Sequence, residues 1–454
     1  MQRREFFHLM AAAALPGAAR TASEPARQPI AVRPSTFPSL PTRIAGLTLS
    51  ELQEDYRNRL FRQYLPFWDR GGYDQQRGGF MCELNDDGSV FHDEKYSWYQ
   101  GRAIWVYSFL YNEFGRDPRW LEVARKTRDF MVRHMYAGQG RWKEKVHRDG
   151  SLIEGVGPTV YGWLFAAAGL GEYYLAAGRE EDLDLLRQSI AAAVRAYDDP
   201  GYVDAHTTLY TGLDIPSRGL RSQGHSLVLI SALTRLLARV DDPRLESLQQ
   251  EHVGHIVHDF WNPDYGIVNE FLAHDYQRLA NAAQHMFTGH ATETLWLVMQ
   301  EALRRKDRGL FEVCKDRVRR LLEMSWDYVF EGFCDGNYLV FGTPQQPRGA
   351  QFEVKTMWAH CEAMVACLLT LEYTGEVWAK EWYERLRAYA LRTMPVPQHG
   401  VWRQAVDRFG RDLKRVGVST KRKDNFHQAR YMMVDLLSLQ RMLAHGGRTT
   451  PFPA

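Results

Sequence analysis

Two kinds of apolar pattern alternate along the chain from Leu47 onward. Some segments are apolar nearly all round, as in PTVYGWLFAAAGLGEYYLAAG (158–178) and GHSLVLISALTRLLARV (224–240). Others carry one apolar stripe on a charged cylinder, as in REEDLDLLRQSIAAAVRAYDD (179–199) and KDRGLFEVCKDRVRRLLEMSWDYV (306–329). A helix apolar on every side has to be buried, whereas a striped one covers a core with one face and meets water with the other. The pattern predicts twelve helices in six inner/outer pairs, starting near residues 48, 96, 117, 158, 179, 221, 242, 286, 306, 354, 377 and 424.

Polar residues recur near the starts of the buried segments: Arg102, Tyr161, His225, His290, His360 and His427, spaced 59–70 residues apart. That is the length of a helical hairpin with one long loop, so the unit repeats as αα. Six such units close into an all-α, double-shelled (α/α)6 barrel, with short connections on one face and long functional loops on the other. An open solenoid is the competing architecture. Aromatic and polar residues crowding the inner-helix starts favour closure around a pocket. Three stretches in the long loops read as β-hairpins from their Asp/Asn/Gly or Phe-Gly turns: GGFMCELNDDGSVFHD (78–93), GRWKEKVHRDGSLIEG (140–155) and GVWRQAVDRFGRDLKRV (400–416).

Composition narrows the function classes. A net charge of +2 over 454 residues gives no field for nucleic acid or an anionic membrane. Aromatics make up 13% of the chain, including 13 Trp and 22 Tyr. Such rings line sugar sites, packing on C–H groups while their polar edges bond hydroxyls, although large helical cores use them as well. The scattered Cys82, Cys314, Cys334, Cys361 and Cys367 form no CxxC pair, against a structural zinc site or disulfide framework. The start MQRREFFHLMAAAALPGAARTA has a basic head, a short apolar run and small residues, the anatomy of a twin-arginine-type export signal. The expected organisation is an export signal over 1–22 and a Pro-rich disordered lead-in over 23–46. The barrel domain follows over 47–446, with a disordered tail over 447–454, and the mature protein is periplasmic with no membrane segment.

Four clusters carry candidate chemistry: KYSWYQGRAIW (95–105), GHATETLW (289–296), KTMWAHCEAM (355–364) and DNFHQAR (424–430). His290 and Glu293 lie three apart on one helical face, as in an imidazole oriented by a carboxylate. The same pair could be half of a metal site, which requires a second pair. His360 and Glu362, two apart, splay on a helix and do not supply it. A metal-free reading uses the inventory better. His290 and His427, facing each other across a pocket, can remove and return a proton on carbon beside a carbonyl, since histidine titrates near neutrality. The resulting enediolate needs a fixed cation, and Arg102 supplies a permanent charge with several donors. Glu293 and Glu362 would hold imidazoles or sugar hydroxyls.

In this order and spacing, the clusters resemble the N-acylglucosamine 2-epimerase family, which includes cellobiose 2-epimerases and aldose–ketose isomerases. The likeness runs from about Tyr56 to Leu443, opening with YLPFWDRGGYDQQRGGFMCELNDDGSVFHDEKYSWYQGRAIWVYS and closing with FHQAR. It implies an (α/α)6 barrel and cofactor-independent epimerisation or isomerisation of an open-chain sugar, with no metal and a homodimeric assembly. By position it implies His290 and His427 as the acid/base pair, and Arg102 as the essential arginine. Glu293, Glu362, Trp98, Tyr96, Trp358, His225 and Arg430 become substrate-binding residues. Two other readings compete. A glycoside hydrolase or lyase on the same barrel would need a carboxylate pair about 5–9.5 Å apart, drawn from Glu293, Glu362, Asp74 and Glu270. A non-catalytic carbohydrate- or protein-binding homologue would need no acid/base pair at all.

Overall fold

Twelve long helices run through the residues that the computed structural model describes: 37–157, 159–203, 215–216, 218–334, 354–396, 398–413 and 421–453. The expected export signal (1–22) and most of the lead-in lie outside the described residues. Six helices form an inner ring: α2 (Ser97–Glu113), α4 (Val160–Ala177), α6 (Gln223–Leu237), α8 (Thr288–Arg305), α10 (Met357–Thr374) and α12 (His427–Ala444). Each packs on the next, and α12 returns to α2. The outer shell holds α1 (Leu49–Arg57, continued in wider turns to Gly72), α3 (Pro118–His134), α5 (Glu180–Tyr197), α7 (Pro243–Gly254), α9 (Arg308–Ser325) and α11 (Val377–Thr393). This is the expected (α/α)6 barrel. Its pairing adds a detail: α1 packs on α12, so the first helix in the chain partners the last.

Local chemistry sets these boundaries. Asp117 and Asp242 cap α3 and α7 through side-chain bonds to the first backbone N–H groups, each followed by a proline already fixed at a helical φ. Thr159 caps α4 by accepting from Gly162, and α4 and α10 end on Gly178 and Gly375 at φ 69° and 71°, a conformation only glycine adopts freely. The contact between α2 and α4 depends on glycine for another reason. A Cβ on Gly101 would meet the Phe165 carbonyl oxygen at 2.2 Å, and one on Gly169 would meet the Gly101 oxygen at 2.5 Å. The bare backbones therefore lie against each other.

The connections divide by length. On one face the turns are short (114–117, 178–179, 238–242, 306–307 and 375–376); on the other they are long (135–159, 198–222, 255–287, 326–356 and 394–426). The first predicted hairpin forms, Glu83–Leu84 pairing with Val90–His92. The other two keep their tight turns, closed by Val146↔Leu152 and Val406↔Asp412, but their main pairing differs from expectation. Lys145–Val146 pairs with Lys95–Tyr96, and Ala405–Asp407 pairs with Val354–Thr356, so each long loop is stitched to the strand that leads into the preceding inner helix.

Buried ion clusters explain this stitching. Lys95 Nζ donates to Asp74 at 3.0 Å and to the Gly78 carbonyl at 2.7 Å, while Arg148 bonds the same carboxylate at 2.8 Å. Lys355, Asp327 and Arg408 repeat the arrangement at 3.2 and 2.9 Å. Arg221 makes a variant of it, bonding Asp198 at 2.8 Å and the His274 carbonyl at 2.9 Å. In all three cases the strand cation and its loop partner are 53 residues apart (95/148, 221/274 and 355/408). A rule of alternate hairpins is thus written into the loop face, invisible to local turn chemistry.

The ends of the barrel differ from the expected boundaries. Residues 37–46 and 447–453 are not loose: Leu40 N–H donates to the Gly447 carbonyl, Thr449 N–H to Pro38, and Thr450 N–H to Glu372. Phe452 packs on Phe311 and Tyr373. Burial of Leu40, Ile44 and Thr449 outweighs the turn-forming composition that predicted disorder. None of the described helices is long and apolar enough to cross a membrane.

Candidate active site

At the long-loop face, the first turns of α2, α8, α10 and α12 converge. His427 opens α12, where the buried Asp424 accepts the backbone N–H groups of Phe426 and Gln428 at 3.0 Å and so fixes the helix start. The His427 ring reaches Trp358, at the start of α10, with centroids 5.4 Å apart. His290, in the first turn of α8, approaches the same indole at 5.2 Å. One tryptophan therefore neighbours both imidazoles, and the sequence-predicted pair belongs to one site.

Each imidazole presents Nδ1 to a buried carboxylate. His427 Nδ1 lies 2.7 Å from Glu362 Oε1, and His290 Nδ1 lies 3.0 Å from Glu270 Oε1. The carboxylate expected to orient His290 was Glu293, one turn along the same helix. The structure assigns that place to Glu270 instead, a buried residue of the long loop between α7 and α8. Glu270 is held by Gln223 Nε2 at 3.0 Å. Glu293 points deeper and engages Arg430, whose Nη2 also reaches Glu362 at 2.8 Å. Arg430, predicted to bind substrate, is thus a buried clamp between two acids.

The electrostatics follow from burial. Desolvation pushes the His427 imidazolium down to a pKa of about 3, with Asp424 and Glu293 pulling the other way, so the ring is neutral near pH 7. Burial pushes the Glu362 carboxyl up, while Arg430 and the indole N–H of Trp296, 2.9 Å from Oε2, pull it down. An imidazole that donates Nδ1–H to a carboxylate carries its lone pair on Nε2, the tautomer of a base. Arg102 is buried, and burial brings its guanidinium down to about 10, still charged near neutrality. It stacks over Phe165, Trp98 and Phe426 at 4.2, 4.8 and 5.1 Å, and its Nε and Nη1 have no protein acceptor. Those two donors suit a ligand oxygen.

Glu293, Glu362 and His427 offer ligand atoms within 4.8 Å of one another, the donor set of a small metal site. The guanidinium of Arg430 already bridges the two carboxylates, supplying the positive charge that a cation would bring. A divalent ion would have to displace it.

The remaining predicted residues are spread around this centre. Tyr96 precedes α2, its ring 6.1 Å from Trp98 and its hydroxyl 3.4 Å from Glu94. Trp98 has two guanidinium neighbours, Arg102 and Arg422, each 4.8 Å from its ring. His225, at the start of α6, is buried between the rings of Tyr161 and Tyr197 at 4.7 and 5.5 Å. His360, one of the six recurring polar residues, turns to the outer shell. It takes the Phe333 N–H at 2.9 Å on Nε2, faces the Thr356 carbonyl at 2.7 Å and stacks on Tyr389, and burial lowers it to about 4. Asp74, a carboxylate of the hydrolase reading, is locked in the Lys95–Arg148 cluster.

The loop face of this helical barrel thus gathers two carboxylate-backed histidines, a buried guanidinium with two donors that meet no protein acceptor, and tryptophan rings. The sequence profile of the N-acylglucosamine 2-epimerase (GlcNAc 2-epimerase) family matches residues 78–428, and the chain belongs to that family. It is 25% identical to N-acylglucosamine 2-epimerase of Bos taurus over 378 residues, covering 78% of this chain and 85% of that one. The corresponding enzyme of Mus musculus is 27% identical over 356 residues, 74% and 80% of the two chains. Among solved structures, cellobiose 2-epimerase from Bacillus thermoamylovorans B4167 superposes with a TM-score of 0.72 at 18% identity, covering 86% of this chain and 99% of that one.

Proposed function

We propose that the protein is a carbohydrate isomerase that epimerises C2 of an open-chain sugar, or moves its carbonyl from C1 to C2, by proton transfer between two histidines. The observation that carries this reading is the shared Trp358 between two imidazoles, each with Nδ1 on a buried carboxylate. Family membership supports the enzyme class, and the relatives' names point to N-acylglucosamine and cellobiose as first substrates to try.

In this reading neutral His427 takes the C2 proton on Nε2, and the electron pair moves onto the carbonyl oxygen to give an enediolate. Arg102 Nε and Nη1 face that oxygen and stabilise its charge in a site shielded from water. His290, entering the step as the imidazolium, then delivers a proton from Nε2. Return to the opposite face of C2 yields the epimer, whereas passage of the O2 proton to O1 with delivery to C1 yields the ketose. Glu362 and Glu270 keep both rings in register through Nδ1. The hydrolase alternative finds no support in the carboxylates, since Glu293 and Glu362 are clamped together by one arginine rather than flanking a cleft.

The test is to incubate the protein with N-acetylglucosamine, mannose, cellobiose and glucose in deuterated water. Deuterium at C2 of an aldose product marks an epimerase, and a deuterated ketose-derived C1 marks an isomerase. Release of smaller sugars without exchange would overturn the proposal. The twin-arginine-like start supports export to the periplasm. Replacing Arg3 and Arg4 by lysine is expected to retain the protein in the cytoplasm.

A further inference from the structure

A cavity lies among the inner helices at the opposite, short-connection face. It has a volume of about 280 Å³ and is lined mainly from the C-terminal halves of α2, α6, α8, α10 and α12, with Arg430 reaching in from the first turn of α12. That size is near the lower end for small-molecule pockets. Its walls are largely apolar and aromatic: Trp105 stacks on Phe109 at 4.7 Å, and Trp296, Leu297, Leu369 and Val434 continue the surface.

Charge in this cavity is already spoken for. Arg235 bonds Glu172 at 2.8 Å and Glu113 at 2.7 Å; Arg304 bonds Glu301 and Glu246 at 2.6 and 2.8 Å; Arg441 bonds Glu372 at 2.6 Å. An anion would find every guanidinium neutralised. A cation would have to pull carboxylates away from those pairs. With these charges already paired and the rest of the wall apolar, the lining favours an uncharged guest.

Two lining residues belong to both ends of the barrel. Trp296 walls the cavity and donates its indole N–H to Glu362 at 2.9 Å, and Arg430 walls it while holding Glu362 at 2.8 Å. Glu362 is the carboxylate on His427. A guest that packs on the Trp296 ring therefore presses on the group that orients the acid/base pair.

We infer that this cavity binds a small neutral aromatic molecule, and that its occupancy adjusts the catalytic site through Trp296 and Glu362. The binding part stands on the cavity alone; the coupling part rests on the proposed role of His427. Indole serves as the probe, titrated calorimetrically into the full-length protein. One saturable site is expected, and Ser231→Phe, which fills the cavity, and Ala238→Trp, which blocks its exposed mouth, should each weaken binding at least about tenfold. Ala238→Trp, which leaves the space beside Trp296 empty, should keep deuterium exchange within about twofold of the parent. Saturating indole should change the exchange rate of the parent, and Trp296→Phe should abolish that response by removing the N–H donor. Undiminished affinity in both cavity variants, or indole displaced competitively by sugar, would overturn the site. An unaltered exchange rate at saturating indole would overturn the coupling. Failure of every sugar to exchange would count against the functional reading and leave the titration interpretable.

Discussion

The two histidines of the site are built alike and set differently. Both open an inner helix, both approach Trp358, and both lean Nδ1 on a buried carboxylate. His427 is 7% exposed and its carboxylate sits on helix α10, addressed by Trp296 and Arg430 as well. His290 is 27% exposed and its carboxylate comes from a loop. Under the proposed mechanism the difference suits two jobs. A ring sealed from water and held neutral is a ready proton acceptor, whereas a ring open to solvent exchanges its proton easily.

Removing either ring is the largest break. His427→Ala and His290→Ala should each lower deuterium exchange by roughly 10⁴-fold or more, with an unchanged helical circular dichroism signal. Near-normal exchange in either variant would remove that residue from the mechanism. The two carboxylates sharpen the contrast. Glu362→Gln should cost on the order of 10³-fold in turnover by disturbing the His427 tautomer, and Glu270→Gln, beside the more exposed ring, about tenfold. Equal losses would show that burial does not distinguish the two sites.

Arg430→Met would leave Glu293 and Glu362 buried without their cation. A loss of about 3–5 kcal/mol in urea unfolding is expected, since breaking a buried pair strands its partner charge. Arg102→Lys keeps the charge and loses the fork. It should cost about 3 kcal/mol of transition-state stabilisation in kcat/KM, with little change in Tm because no protein acceptor is lost.

Acid stability tests burial rather than chemistry. His427 and His252 are lowered to about 3 and His360 to about 4 from an ordinary value of 6.5, all three chiefly by burial. Between pH 6.5 and about 4, the unfolded chain binds protons that the folded one refuses, so stability falls as pH falls through this window. The slope approaches about 1.4 kcal/mol per pH unit for each histidine. His360→Asn, away from the site, should flatten the dependence of Tm on pH without altering exchange chemistry at neutral pH.

Much of this was legible in the residues. The predicted helix starts fall within three residues of the observed ones, because apolar stripes and Asp-Pro caps are local signals. Arg102, His290, His427, Trp358 and Glu362 do come together. The partners of these residues were harder to read. Glu270 precedes His290 by 20 positions on a loop, and the helical spacing that pointed to Glu293 says nothing about which neighbour a first-turn side chain meets. Trp296 and Asp424 lie inside the quoted clusters, yet their roles arise only when α8 and α10 pack together or a helix start is fixed. His360 shared the period of the ring but faces outward, since a repeat fixes helix position and leaves side-chain direction to packing.

The pairing of α1 with α12 ties activity to completeness. The last of the described helices brings His427, the clamp Arg430 and the surface on which the first helix settles, all in one element. A nascent or C-terminally clipped chain would therefore lack both its seal and its chemistry at once.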